Sequence, residues 1–134
     1  MSLDNVLKFK NGHFDNDLNL KKNGKVIILY YADWCGHCNR LKPDYQKLSD
    51  LASQGKLNDV TVAAVNADDN DGLIQRIQSK GKEYSVTGFP TIVSYYNGKY
   101  FSTYAPDDPS KFRTLEDMIE YANGIGTAQI TYVK

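Results

Sequence analysis

The most informative segment of the chain is residues 26–38, Val26-Ile27-Ile28-Leu29-Tyr30-Tyr31-Ala32-Asp33-Trp34-Cys35-Gly36-His37-Cys38. Its first six residues are apolar or aromatic without polar alternation, and they are too few for a buried helix. They predict a strand that is covered on both faces and therefore central in a sheet. The only two cysteines of the chain follow this strand, three positions apart.

A long helix is expected directly after the strand, from about Cys35 to Ser53. Gly55 can end this helix, and Pro43 inside it predicts a kink. Its buried positions recur at helical spacing, at Leu41, Tyr45, Leu48 and Ala52. The cysteine pair therefore lies where a buried strand ends and a helix begins.

The regions on either side of this unit alternate between strand-like and helix-like patterns. A short strand is expected at Val6 to Phe9. A helix is expected at His13 to Lys22, because Phe14 and Leu18 lie one turn apart and the charges follow the helix dipole. Val60 to Val65 predicts a second buried strand, which completes a parallel βαβ unit with the first.

The second half of the chain predicts an antiparallel hairpin between two helices. Strands at Thr91 to Tyr96 and Lys99 to Tyr104 flank Asn97-Gly98, a dipeptide suited to a type I′ turn. A short helix precedes the hairpin, and another follows it with Thr114 as the N-cap. Their apolar positions are Leu73, Ile74, Ile77, Leu115, Met118, Ile119 and Ala122. The fold class is therefore α/β, with a mixed central sheet flanked by helices.

Length and charge limit the classes of protein to consider. A chain of 134 residues favours one domain, which we expect at residues 1–124, with 125–134 as a tail or linker remnant. Sixteen basic and sixteen acidic residues cancel, which disfavours nucleic acid as a partner. The sequence shows no membrane-spanning run, signal peptide or carboxy-terminal retention signal, so it does not specify a compartment.

The cysteine pair has the spacing of a redox pair. At the start of a helix Cys35 lies where the dipole and a protonatable His37 favour a thiolate, whereas Cys38, one turn further, is expected to be buried. A structural disulfide would close too short a loop to stabilise the fold much. A zinc site needs about four ligands, and outside the motif only His13 offers another imidazole. No cofactor is implied, because the two sulfurs can carry the electrons.

Two motifs carry a resemblance to a known family. The segment Tyr30–Pro43, with Trp34-Cys35-Gly36-His37-Cys38 inside it, resembles the active-site segment of the thioredoxin superfamily. Its Cys-Gly-His-Cys is the variant typical of protein disulfide isomerase domains. Val86-Thr87-Gly88-Phe89-Pro90-Thr91 resembles the second hallmark of the family, a loop whose proline is cis. The resemblance extends from about Val6 to Asn123 and implies the thioredoxin fold, with a parallel βαβ half and an antiparallel hairpin half.

The resemblance also implies roles for individual residues. Cys35 would be the nucleophile, Cys38 the resolving thiol, and His37 the residue that favours the Cys35 thiolate. Arg113 has the spacing of an arginine that can swing toward the resolving cysteine in isomerase domains; a solvated surface arginine is the alternative.

A substrate-binding surface follows from the same comparison. Trp34 would shield the site, and Gly36 would lie beside it. A cis Pro90 would let the backbone of Phe89 pair with an extended substrate peptide by strand addition. An ordinary turn at Pro90 and core positions for the two aromatic residues are the alternatives.

The sequence departs from the family pattern at two positions. The family usually places a buried acid six residues before the first cysteine and a lysine on the next strand, whereas Leu29 and Ala64 stand here. Absence of both the acid and the lysine is physically consistent, because either charge buried without the other would destabilise the fold. We expect slow deprotonation of Cys38 and slow release of mixed disulfides, unless water, Asp33 or Asp68 accepts the proton.

Three functions remain open at this stage. The favoured one is a thiol-disulfide oxidoreductase of the isomerase or oxidase type that acts on cysteines of protein substrates. The alternatives are a thioredoxin-like reductase and a non-catalytic peptide-binding module with a vestigial cysteine pair. The expected partners are protein substrates and a redox donor or acceptor such as glutathione or a reductase, and the expected state is a monomer. Cys-Gly-His-Cys favours an oxidising compartment such as the endoplasmic reticulum.

Overall fold

The computed structural model describes residues 3, 6–80, 86 and 88–126. The strands are β1 (Leu7–Lys8), β2 (Lys25–Tyr31), β3 (Val60–Asn66), β4 (Thr91–Tyr96) and β5 (Lys99–Thr103). The helices are α1 (Gly36–Ser53), α2 (Asp71–Lys80) and α3 (Leu115–Asn123). Short 3₁₀ turns lie at Asn11–His13, Ala67–Asp69 and Pro109–Lys111.

The strands form one mixed sheet in the order β1-β3-β2-β4-β5. Strand β2 pairs in parallel with β3 and antiparallel with β4, and β5 extends the antiparallel half. The prediction of a mixed sheet with β2 at its centre is therefore confirmed. A fully buried strand needs apolar side chains on both faces, which explains the unbroken run from Val26 to Tyr31.

Helices cover both faces of the sheet. Alternate β2 residues, among them Ile27 and Leu29, pack in the cluster that contains the buried residues of α1 and α3. The intervening residues, such as Val26 and Ile28, pack with the buried residues of α2. Within the described ranges, no helix combines the length and apolarity that a membrane span requires.

The helix predicted over His13 to Lys22 is wrong. The Asp15 carboxylate accepts hydrogen bonds from the backbone N–H groups of Asp17 and Asn19, both at 2.9 Å. Asp and Asn side chains offer the backbone this alternative to a helix. The resulting turn lets Phe14 and Leu20 form an antiparallel bridge.

The apolar residues of this segment therefore belong to a loop that packs on the sheet. Phe14, Leu18 and Leu20 are all buried. Leu18 adopts a φ of 64°, which no α-helix contains. The Tyr95 hydroxyl donates to the Leu18 carbonyl at 3.2 Å, so a side chain from β4 supports the loop.

Other boundaries differ from the predictions by one or two residues. The first strand is shorter than the predicted Val6 to Phe9, although Phe9 N–H still donates to the Ala64 carbonyl at 2.9 Å. Strand β5 ends at Thr103, one residue before the predicted Tyr104. Helix α1 begins at Gly36 with Cys35 as its N-cap, and Pro43 lies inside it.

The end of the domain is partly described. Ile125 is fully buried in the cluster that joins α1 and α3. The remainder of the predicted tail, 127–134, lies outside the described residues, as do 81–85 and 87. The division at residue 124 stays a prediction.

Candidate active site

Both cysteines lie at the junction between β2 and α1. Cys35 is the N-cap of α1, with an extended backbone (φ −86°, ψ 114°), and its Sγ accepts a hydrogen bond from the Cys38 N–H at 3.1 Å. Cys35 is 6% exposed, Cys38 is 0% exposed, and both are free thiols. A sulfur that replaces the usual capping oxygen lies where the unpaired N–H groups of a helix favour negative charge.

The second motif lies directly against the first. The Cys35 thiol donates to the Phe89 carbonyl at 3.4 Å, and the Phe89–Pro90 peptide bond is cis. Pro90 is buried, whereas Phe89 is half-buried. The loop before β4 and the start of α1, 54 residues apart in the chain, therefore form one site.

An exposed aromatic rim borders the two motifs. Trp34 is 71% exposed, which separates it from the hydrophobic core. Its ring meets the Phe89 ring edge-on, with centroids 6.0 Å apart and planes at 80°. Trp34 Nε1 donates to Asp68 Oδ1 at 3.1 Å, so the indole is held at one end while its face remains open to solvent. Exposed aromatic surface of this kind fits peptide binding.

His37 has a partner that the sequence analysis did not single out. An Arg40 guanidinium nitrogen lies 2.6 Å from His37 Nδ1. Arginine has no acceptor, so the guanidinium donates this hydrogen bond and Nδ1 accepts it. The same guanidinium lies above Gly36, since a Cβ at that glycine would be 3.6 Å from Arg40 Nη1. The permanent positive charge over the Cys-Gly-His-Cys turn is therefore that of Arg40.

Cys38 lies in apolar surroundings. Leu29 and Ala64 are register partners on β2 and β3, both fully buried, and both pack in the cluster that contains Cys38. Burial raises the pKa of the Cys38 thiol to about 11, and the hydrogen bond with Cys35 adds to the rise. A thiol with this pKa is neutral at pH 7 and needs help to become a nucleophile.

A buried lysine lies near this thiol. Lys42 occurs one turn after Cys38 on the buried face of α1, and its side chain is only 8% exposed. Its Nζ lies 3.2 Å from Asp33 Oδ1 and 5.0 Å from the centroid of the Tyr31 ring. Asn66 Nδ2 donates to the other Asp33 oxygen at 3.4 Å. The sequence analysis missed Lys42, although its position on the face that Cys38 and Leu41 define was the available signal.

Arg113 lies just before α3 in a left-handed conformation, with a φ of 66°. Its backbone N–H donates to the Tyr104 hydroxyl at 2.9 Å, and its guanidinium carbon lies 4.0 Å from the centroid of the Phe112 ring. Burial lowers the pKa of Arg113, while negative charge on Cys38 and Cys35 raises it. The guanidinium therefore lies within electrostatic reach of both sulfurs.

Comparisons with known proteins identify the family. The thioredoxin family model matches residues 5–121. Protein disulfide-isomerase 1 of Dictyostelium discoideum is 36% identical over 121 residues, which cover 89% of this chain and 30% of that protein. Protein disulfide-isomerase of Oryctolagus cuniculus is 33% identical over 119 residues, which cover 88% of this chain and 21% of that protein. The chain thus spans a third or less of these relatives.

Solved structures share the fold. The first thioredoxin domain of mouse protein disulfide-isomerase A4 superposes with a TM-score of 0.67 at 24% identity, covering 91% of this chain and 76% of that one. Mitochondrial thioredoxin 3 of Saccharomyces cerevisiae gives 0.62 at 24% identity, covering 90% and 99%.

The fold, the cysteine motif and the family match all define the same class of protein, the thioredoxin-fold domains that carry a Cys-x-x-Cys pair at a helix N-terminus. The chain belongs to the thioredoxin family, as a domain of the protein disulfide isomerase type.

Proposed function

We propose that the domain exchanges disulfides with cysteines of protein substrates and acts in the isomerase or oxidase direction. The observation that carries the proposal is the inequality of its two thiols. Cys35 is a helix N-cap whose sulfur accepts a hydrogen bond from a backbone N–H group. Cys38 is fully buried, and this burial is the main reason that its pKa is raised to about 11. One sulfur is suited to meet substrate and the other to act only from within.

Each exchange proceeds through a mixed disulfide. In the donor direction a substrate thiolate attacks Cys35 of the oxidised pair, and Cys38 leaves as a thiolate and takes up a proton. A second substrate thiolate then attacks the substrate sulfur, and Cys35 leaves, so that the substrate is oxidised by two electrons and the pair is reduced. In the reverse direction Cys35 attacks a substrate disulfide, and Cys38 resolves the intermediate.

The substrate peptide is proposed to lie along the loop before β4. The Phe89 carbonyl, which accepts from the Cys35 thiol, places backbone hydrogen-bonding groups beside the reacting sulfur. An extended peptide can pair with such a backbone segment by strand addition. Trp34, Gly36 and Pro90 complete this proposed surface.

Two cations support the proposed roles. Arg40 places a permanent positive charge above Gly36, between the two cysteines in the chain, and His37 holds that guanidinium through its Nδ1. Arg113, within reach of both sulfurs, stabilises the Cys38 thiolate when it forms. A cation near the thiolates stabilises the reduced pair and makes its disulfide more oxidising.

The test is the equilibrium reduction potential of the pair, measured in glutathione buffers with Trp34 fluorescence as the signal. A value near about −180 mV supports the isomerase or oxidase direction, and one near about −270 mV supports a thioredoxin-like reductase instead. Arg40→Met should make the potential more negative by roughly 5–20 mV, as expected for a partly exposed charge interaction. Lys47→Met, an exposed lysine of the same helix, is the control.

An assay of disulfide-exchange turnover distinguishes the proposed function from that of a non-catalytic peptide-binding module. The wild-type domain should restore activity to a scrambled, disulfide-containing protein, and Cys35→Ser should not. Peptide binding by the wild-type domain without any thiol exchange would contradict the proposed function.

A further inference from the structure

Burial of Lys42 at this position is unfavourable for folding. Removing an ammonium from water is unfavourable unless it is paired, and this side chain is only 8% exposed. Asp33 pairs with it from the solvent side, since that carboxylate is 67% exposed, and the face of the Tyr31 ring contacts it from the other side. The fold thus keeps a positive charge beneath the surface rather than letting the side chain extend into solvent.

This charge lies on the Cys38 side of the helix. Residues four apart occupy the same helix face, and both Lys42 and Cys38 belong to the buried face of α1. Tyr31, over which the ammonium lies, packs in the cluster that contains both cysteines. The positive charge of Lys42 lowers the pKa of the Cys38 thiol, against burial, which raises it.

In the part of the chain that the structure describes, three titratable groups interact electrostatically with Cys38, namely Cys35, Lys42 and Arg113. Leu29 and Ala64, the strand residues packed in the same cluster, carry none. Arg113 belongs to the segment before α3, and Arg40 of α1 lies at the exposed turn over Gly36, whereas Lys42 is the cation on the buried face of α1.

We propose that Lys42, held in place by Asp33, stabilises the thiolate of Cys38 during release of the mixed disulfide. The proposal deepens the function proposed above and rests on it. In this step Cys38 loses its proton to water, and its sulfur attacks Cys35 Sγ. The Cys35–Cys38 bond forms, the Cys35–substrate bond breaks, and the substrate sulfur departs with the electron pair and takes a proton from solvent. Lys42 acts through space, and Asp33 is a positioning residue.

The first test measures the pKa of Cys38 directly. In a Cys35→Ser background, NMR of ¹³Cβ-labelled cysteine follows the one remaining thiol without interference from the tyrosines. Lys42→Met should raise the Cys38 pKa by roughly half a unit to one unit, as loss of a nearby opposite charge does. Lys42→Arg should keep it near the wild-type value, and Lys47→Met should leave it unchanged.

The second test measures the step itself in the protein with both cysteines. After Cys35 attacks a glutathione disulfide, release is a first-order phase that stopped-flow fluorescence of Trp34 resolves. A one-unit rise in pKa lowers the thiolate fraction tenfold but raises nucleophilicity, so Lys42→Met should slow this phase about threefold at pH 7. The second-order attack by Cys35 should not change.

Two results would overturn the proposal. One is an unaltered Cys38 pKa in Lys42→Met with the fold intact by circular dichroism. The other is an equal shift in Lys42→Arg and Lys42→Met, which would assign the effect to packing.

If Lys42→Met does not fold, Lys42→Gln, which can still hydrogen-bond Asp33, replaces it with the same expectation. Because the titration needs no substrate, a shifted pKa without protein-disulfide turnover would refute the proposed function while leaving the charge effect established.

Discussion

At the scale of single residues, the environment of Cys38 controls the chemistry. Leu29 and Ala64 give this thiol a hydrocarbon neighbourhood, and burial raises its pKa to about 11. Of the two acids that could have replaced a buried carboxylate, Asp33 is engaged by Lys42 and Asp68 accepts from Trp34. Both carboxylates therefore already have partners, and the two strand positions packed with Cys38 offer no base.

Placing a base there tests this view. Leu29→Glu should speed the release phase by at least about tenfold, because a carboxylate next to the thiol can accept its proton. The variant should also lose several kcal/mol of stability, since an unpaired carboxyl would be buried. Stopped-flow thiol exchange measures the rate, and Leu29→Gln is the uncharged control. An unchanged or slower release in a folded Leu29→Glu protein would contradict the expectation.

At the scale of elements, the hairpin that β4 and β5 form also anchors a distant loop. Asn97 and Gly98 have φ values of 51° and 85°, the signs that a type I′ turn requires. Gly98 also accepts a hydrogen bond from the Leu20 N–H at 2.8 Å. The turn is thereby attached to the loop that replaces the expected helix at residues 13–22, and a local dipeptide anchors a distant segment.

Gly98→Ala should be costly for two reasons. A methyl group there would lie 2.7 Å from the Leu20 carbonyl oxygen, and φ is positive. Gly55→Ala is the matched control, because its φ is 72° but nothing lies within 4 Å of the added carbon. Urea unfolding should show a loss of about 1 kcal/mol for Gly55→Ala and at least about 2 kcal/mol for Gly98→Ala. Equal losses would show that the loop simply moves away.

At the scale of the whole molecule, the site is assembled from separate parts of the chain. The end of β2 and the start of α1 supply the cysteines, and the loop before β4 supplies Phe89 and Pro90. Because the sheet and α1 bury the Cys38 thiol together, titration of that thiol is linked to the stability of the entire fold.

This link predicts how the reduced domain responds to alkaline pH. Burial raises the pKa of Cys38 from 9.0 to about 11, so between these values the folded state keeps a proton that the unfolded state has lost. The stabilisation is complete below pH 9 and is lost as the pH rises toward 11, by an amount on the order of 2 kcal/mol. Urea unfolding of reduced wild type and Cys38→Ala should therefore converge over this range.

The comparison with Cys38→Ala removes contributions that both proteins share. Tyr121, for example, has a pKa raised to about 12, chiefly by burial, and also destabilises the fold at high pH. Parallel stability curves for the two proteins between pH 9 and pH 11 would contradict the assignment to Cys38.

Local periodicity was sufficient for much of the architecture. The unbroken apolar run predicted a central strand, the spacing of Leu41, Tyr45 and Leu48 predicted α1, and Thr114 is the N-cap of α3 as expected. These features depend on contacts within a few residues or on burial that the pattern itself encodes. The segment 13–22 had a helical spacing too, but the Asp15 turn and the contacts with Gly98 and Tyr95 prevailed over it.

The sequence by itself determined the family, the mixed sheet and the placement of a Cys-x-x-Cys pair at a helix N-terminus, because motif spacing and hydrophobic period are properties of the chain. Only the tertiary structure showed that Lys42 is buried against Asp33 and Tyr31, and that Arg40 contacts His37. A long charged side chain has many rotamers, and which one it adopts depends on neighbours that the fold brings together. The electrostatics of the two thiols were therefore decided by packing.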